Sequence, residues 1–107
     1  MTIKKTTTSE IRKTLRYVII RTLNAGVFAG YLVSREKDEV VLKDARRLWF
    51  WSGANSLSQL AMEGVKYPDK CRFPCEVSYI ELLGVIEVIA TTKQAQESIK
   101  GVTVWTA

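Results

Sequence analysis

The chain has 107 residues, of which 47% are hydrophobic and 25% are charged, and its net charge is +5. This length and this balance predict a soluble globular domain and exclude a largely disordered chain. Because no apolar run approaches the ~20 residues of a membrane span, and the first residues lack the apolar core of a signal peptide, we expect a cytoplasmic protein with no membrane contact.

The positive charge is concentrated near the N-terminus. Residues 1–22 contain one acidic residue, Glu10. The same segment contains six basic residues: Lys4, Lys5, Arg12, Lys13, Arg16 and Arg21. We predict a flexible basic arm over residues 1–13 and a single α+β domain over residues 14–107. Such an arm either steers a polyanion toward the domain or is a solvated tail.

The first half of the domain reads as four strands. β-Branched and aromatic residues, interrupted by turn residues, predict strands over residues 15–22, 27–35, 39–43 and 45–51. The turns fall at residues 24–26 and 36–38, and Gly30 inside the second strand indicates a bulge or a close backbone approach. Successive antiparallel crossings of this kind make a β-meander.

A short helix follows the fourth predicted strand. Ser56 and Gln59 have the spacing of a capping box, in which each side chain pairs with an orphan backbone N–H of the other. The apolar residues that follow at helical spacing are Leu57, Leu60, Ala61 and Val65. Gly64 stands where a helix C-cap is expected.

The last part of the chain predicts more strands and one helix. A loop over residues 66–74 precedes strands at residues 75–80 and 85–90. Thr91 or Thr92 caps a helix over residues 93–100, and an edge strand is expected at residues 102–105. The predicted fold is therefore α+β, with a small, mainly antiparallel, bent β-sheet (a meander, barrel-like) and two short helices.

The chain is poor in catalytic and metal-binding residues. It contains two cysteines, Cys71 and Cys75, and no histidine. Two thiolates do not complete a structural zinc site, and we expect two reduced thiols, no metal and no cofactor. Without histidine the commonest general base is missing, which disfavours an enzyme. An enzyme would have to use Glu63, Asp44 or Asp69.

Residues 45–65 form the best candidate ligand site. In an extended strand, alternation places Arg47, Trp49 and Trp51 on one face and Arg46 on the other. An arginine beside tryptophans suits a phosphorylated ligand whose base stacks on an indole, with Arg46 or Arg47 pairing the phosphate. The alternative is that the tryptophans cover the core and an arginine lies over an indole at its rim.

Two further segments extend this candidate site. The passage through Ser52, Gly53, Asn55 and Ser56 offers backbone N–H groups at a helix N-terminus, which attract anions. Phe28, between two glycines, is a candidate aromatic at a pocket mouth, although a tight hairpin explains the same glycines.

Two motifs carry a resemblance to a known family. The segments NAGVFAG at residues 24–30 and ARRLWFWSGANSLSQLA at residues 45–61 resemble small, functionally uncharacterised proteins of tailed phages and prophages. The resemblance spans residues 17–105 and assigns no catalytic residue to this chain. It implies a phage-encoded accessory protein of the host-cell cytoplasm. By analogy with oligomeric sponges, it implies sequestration of a nucleotide-derived immune signal of cyclic-dinucleotide or ADP-ribose type.

The sequence leaves three classes of function open besides an enzyme. The first is a non-catalytic binder of a phosphorylated small molecule, and we expect a homo-oligomer because a chain of this size offers little pocket depth. The second is a nucleic-acid-binding accessory protein that uses the basic arm. The third is an inhibitor of a host protein or a structural component, with the arginine and tryptophan patch as its hot spot.

Overall fold

A computed structural model describes residues 15–106, so the predicted basic arm lies outside the described residues. Within this described part of the chain, two helices and five strands confirm the α+β prediction. In chain order the elements are β1 (Tyr17–Thr22), β2 (Val27–Glu36), β3 (Glu39–Arg47), α1 (Leu57–Glu63), a 3-10 turn (Pro68–Lys70), β4 (Val77–Leu82), β5 (Val85–Ala90) and α2 (Lys93–Gly101).

The five strands form one antiparallel sheet in the order β4-β3-β2-β1-β5. The edge strands β4 and β5 are joined by Leu83 and Gly84 alone. Three Cα–Cα steps span at most about 11 Å, so the sheet must curl until these strand ends meet. Hydrogen bonds from the Leu23 N–H to the Gly84 carbonyl (2.8 Å) and from the Val85 N–H to the Asp38 carbonyl (3.0 Å) fasten the link. The sheet resembles a barrel in its curvature and is not closed.

Apolar side chains fill both sides of this curved sheet. The inner core contains strand residues only, because the sheet bends over itself: Val18, Ile20, Phe28, Val40, Leu42, Ala45 and Leu82. The helix-side core joins the opposite side of the sheet to the helices and loops: Tyr17, Ile19, Ala29, Tyr31, Leu48, Leu60, Ala61, Cys71, Phe73, Ile99 and Val102. Strands β1 and β2 contribute side chains to both cores.

Strand β3 differs from its prediction. The expected break at Asp44 is absent, because β3 continues through this residue with a positive φ of 47°. Asp44 and Ala45 together lie opposite Gly30, a bulge in which the Ala45 Cβ leaves no room for a side chain on Gly30. Of the strand predicted over residues 45–51, residues 45–47 are confirmed as the end of β3, and residues 48–51 are wrong, since the chain leaves the sheet after Arg47.

The helix ends follow the predicted chemistry. The Ser56 hydroxyl accepts from the Gln59 N–H (3.1 Å), and the Gln59 side chain accepts from the Asn55 N–H (2.9 Å), one residue earlier than a standard capping box requires. Thr92 caps α2 by accepting from the Ala95 N–H (3.0 Å). Neither helix is long and apolar enough to cross a membrane.

The C-terminal segment is not the expected edge strand. Residues 102–106 have no strand structure. One backbone hydrogen bond, from the Trp105 N–H to the Phe73 carbonyl (3.0 Å), holds this segment against the loop before β4.

Candidate functional site

Arg47, Trp49 and Trp51 line one cleft, as the sequence predicts. The opposite wall is the β1–β2 turn, residues 24–27, and the cleft has a volume of about 330 Å³. A hydrogen bond from the Leu48 N–H to the Val27 carbonyl (2.8 Å) holds the two walls together. Although residues 48–51 do not form the predicted strand, the side chains of Arg47, Trp49 and Trp51 line the same cleft. Their cleft is at the small end of the range for ligand pockets.

The Arg47 side chain is exposed and only partly engaged. One guanidinium nitrogen donates to the Ala25 carbonyl (3.1 Å), and the guanidinium carbon lies 4.6 Å from the centre of the Phe28 ring. Arg47 forms no ion pair with another described residue. The cleft lining contains no carboxylate. The remaining guanidinium N–H groups of Arg47 can therefore bind an anion.

Trp49 belongs to an aromatic group on the surface. It is 57% exposed and stacks on Trp105, with ring centres 5.2 Å apart and planes within 7°. The guanidinium carbon of Arg72 lies 5.6 Å from each of these two ring centres. Paired backbone hydrogen bonds between Phe50 and Arg72 fix the arginine beside them. We call Trp49, Phe50, Arg72 and Trp105 the aromatic platform.

The sequence alone does not point to Arg72 and Trp105 as part of this surface. Both are distant in sequence from Trp49, and only the fold brings them next to it. The available signal was composition, since Trp105 is one of only three tryptophans in the chain.

Trp51 is half-buried and packs against the helix-side core. It therefore combines the two roles that the sequence left open, because it both supports the core and lines the cleft. Its indole is held in place by this packing and presents a fixed surface to a ligand.

Arg46 is a correction to the predicted site. It is buried, and its guanidinium donates four hydrogen bonds to the backbone carbonyls of Phe73, Pro74, Ile99 and Val102. Burial lowers the pKa of Arg46 from its ordinary value. The residue ties the end of α2 and the loop before β4 to the sheet, so it is structural and leaves the candidate site.

Phe28 also leaves the site as a direct ligand contact. It lies in the inner core with 1% of its surface exposed, and it does not line the cleft of Arg47, Trp49 and Trp51. It lines a separate depression together with Arg47 and Cys75. The Phe28 ring packs against the guanidinium of Arg47.

The protein's own groups use part of the predicted anion site before α1. The N–H groups of Asn55 and Gln59 are bonded within the cap that includes Ser56, and the Ser52 N–H donates to the Cys71 sulfur (3.4 Å). Any side chain on Gly53, which has a φ of 93°, would collide with the backbone of Lys66. Gly53 therefore permits close packing of two loops.

These residues also lie in a different depression from the cleft. Gly53 and Asn55 line it with Gln59, Lys66 and Tyr67. The sequence stretch thus divides into two places, of which the cleft of Arg47, Trp49 and Trp51 combines a guanidinium with two indoles.

Both cysteines are free, Cys71 buried and Cys75 exposed. Burial raises the pKa of the Cys71 thiol. Within residues 15–106, no three His, Cys, Asp or Glu side chains are grouped closely enough to hold a metal ion.

Comparison with known proteins places the chain in a family. The model of a family described as "Domain of unknown function (DUF6948)" matches residues 15–99. The comparisons with curated proteins and with solved structures found no match. The matched region includes all five strands and the cleft, and it ends before Trp105. The chain therefore belongs to the DUF6948 family of domains of unknown function.

Proposed function

We propose that this protein binds a phosphorylated, base-containing small molecule at the cleft of Arg47, Trp49 and Trp51 and holds it without chemical turnover. The observation that carries the proposal is the meeting of a guanidinium with unpaired donors and two indoles in one cleft without a carboxylate. The guanidinium would pair with the phosphate, and an indole would stack on the base. Each base–aromatic stack contributes about 1–3 kcal/mol.

A more specific proposal concerns the source of this protein and the identity of its ligand. The motifs at residues 24–30 and 45–61 resemble phage and prophage proteins. We propose that a phage-encoded protein of this kind sequesters a cyclic-dinucleotide or ADP-ribose-type signal in the host cytoplasm and so counters host defence. We also propose that it acts as a homo-oligomer, since the cleft of one chain is shallow for such a ligand.

Thermal unfolding in the presence of ligands tests the proposal. Wild-type protein is heated with cyclic dinucleotides and with cyclic ADP-ribose isomers, each at a high multiple of its dissociation constant. Ligand at about 100 times this constant stabilises the folded state by about 2.7 kcal/mol and raises the unfolding temperature.

The matched variants are Arg47→Gln and Arg35→Gln. Both remove one exposed arginine, but Arg35 is not part of the cleft lining. We expect the temperature shift to disappear in Arg47→Gln and to persist in Arg35→Gln. The absence of any shift with wild type across the panel would refute the proposal.

A nucleic-acid-binding function is the second candidate, and the aromatic platform favours it. Exposed rings beside Arg72 provide a stacking surface of the kind that binds single strands. This function predicts an affinity for single-stranded DNA or RNA that falls steeply with salt and with deletion of residues 1–13. Binding that is independent of salt would exclude it.

A further inference from the structure

A second group of polar side chains lies on the helix side of the sheet and shares no residue with the cleft. Tyr31, Lys43 and Tyr79 are direct cross-strand partners on β2, β3 and β4. Directly opposed residues of neighbouring antiparallel strands project to the same side of a sheet. Tyr31 belongs to the helix-side core, so all three side chains lie on that side.

Lys43 is a buried cation with few partners. Only 7% of its surface is exposed, and its ammonium nitrogen lies 3.5 Å from the Tyr79 hydroxyl and 4.7 Å from the centre of that ring. An ammonium group has three N–H donors, and a buried charge is costly unless it is paired. Glu81 projects to the same side two residues along β4, but no described carboxylate forms an ion pair with Lys43.

Tyr31 is a buried hydroxyl with an unused donor. Its oxygen accepts from the Lys100 ammonium (2.6 Å) and from the Gln96 amide (3.1 Å). Both lone pairs are then used, and the hydroxyl hydrogen needs an acceptor. The hydrogen bonds of the described residues provide none, although Tyr31 is only 4% exposed.

The group therefore has an excess of donors. Lys43 and the Tyr31 hydroxyl are buried, and the exposed Lys100 adds a second ammonium group beside Tyr31. A ligand rich in acceptor oxygens would satisfy these donors. Tyr79 covers Lys43 but is itself 60% exposed, and an exposed ring can rotate away rapidly.

We propose that Lys43, Lys100 and Tyr31 form a binding site for a phosphate group, separate from the cleft. The group enters beside Tyr79 and accepts from both ammonium groups and from the Tyr31 hydroxyl. The phosphate is either inorganic phosphate or the end of a small phosphate monoester, since both present the same oxygens to these donors.

Calorimetric titration of the full chain tests this site, with inorganic phosphate in one arm and glycerol 3-phosphate in the other. We expect saturable binding in at least one arm with a dissociation constant of about 1 mM or lower. Tighter binding in the second arm identifies a monoester site. Lys100→Gln should weaken binding about tenfold, because it removes a charge-assisted hydrogen bond.

Lys93→Gln is the matched control, because it removes the same charge from an exposed position on the same helix. It should bind phosphate as wild type does. Absence of saturable binding in both arms, or equal weakening by the two lysine variants, would overturn the proposal. So would binding that Arg47→Gln abolishes and Lys100→Gln retains, which would assign the phosphate to the cleft instead.

Discussion

Arg46 and Arg47 are adjacent but have different roles, because consecutive residues of β3 project to opposite sides of the sheet. Arg46 points into the helix side and saturates four backbone carbonyls, whereas Arg47 lies over Phe28 at the surface. One side chain stabilises the fold, and the other remains available to a ligand.

Replacing these two arginines by methionine should therefore give different losses of stability. Arg46→Met removes a donor from all four carbonyls and leaves those of Pro74 and Val102 with none among the described residues. We therefore expect the free energy of unfolding to fall by about 3 kcal/mol or more. Arg47→Met loses a cation–π contact and an exposed hydrogen bond, which should cost about 1 kcal/mol or less. Urea denaturation measures both, and similar losses would contradict the structural role of Arg46.

Tyr17 carries an unpaired group in the core. Its hydroxyl is buried and has no hydrogen-bond partner within residues 15–106, and burial raises the pKa of Tyr17 well above its ordinary value. Tyr17→Phe should therefore raise the free energy of unfolding by about 1 kcal/mol. Tyr31→Phe is the control and should lower it by a similar amount, because the Tyr31 hydroxyl accepts two hydrogen bonds. A destabilised Tyr17→Phe would show that this hydroxyl has a partner.

At the scale of elements, the two helices meet at Gly64. This residue ends α1 with a φ of 79°, and a side chain there would overlap Cβ and Oγ of Ser98 on α2. The Ser98 hydroxyl also accepts from the Val65 N–H (3.0 Å). The glycine that the sequence predicted as a helix cap thus also allows the close contact between the helices.

Gly64→Ala should consequently lower the free energy of unfolding by about 2 kcal/mol or more, because it combines an unfavourable φ with a steric clash. Gly101→Ala, at the end of α2, has open space around the new methyl group and should be nearly neutral. Thermal unfolding of the two variants provides the comparison. Equal stability of Gly64→Ala and wild type would contradict the packing described for α1 and α2.

The sequence predicted those elements whose signals are local. The β-branched run of β1, the Ser56 and Gln59 cap, and the Thr92 cap all depend on residues within a few positions of one another. The bulge at Asp44 could not be predicted from local signals, because it depends on Gly30 of the neighbouring strand.

The site was predictable to a smaller extent. The cleft residues Arg47, Trp49 and Trp51 are close in sequence and were found, even though the strand assigned to them was wrong. The buried position of Arg46 could not be predicted, because its four carbonyl partners come from α2, the residue after it and the loop before β4. Trp105 joins Trp49 only through the fold.

For the whole molecule, curvature of the sheet explains how so small a domain supports two cores. Because the β4–β5 link draws the two edges together, the strands alone enclose the inner core. The helices and long loops then cover the other side. The cleft lies between the β1–β2 turn and residues 47–51, and the aromatic platform lies on loop residues beside it. The surface that we propose to bind a ligand thus lies on connections supported by a rigid sheet.

Quenching of tryptophan fluorescence most directly tests the claim that the cleft binds a base-containing phosphate. Wild-type protein titrated with cyclic dinucleotides and cyclic ADP-ribose isomers should show saturable quenching with at least one ligand, because a base stacks on an indole. Arg47→Gln retains all three tryptophans and should lose this quenching, while Arg35→Gln keeps it. An Arg47→Gln titration identical to wild type, or no saturable quenching by any ligand, would contradict the account.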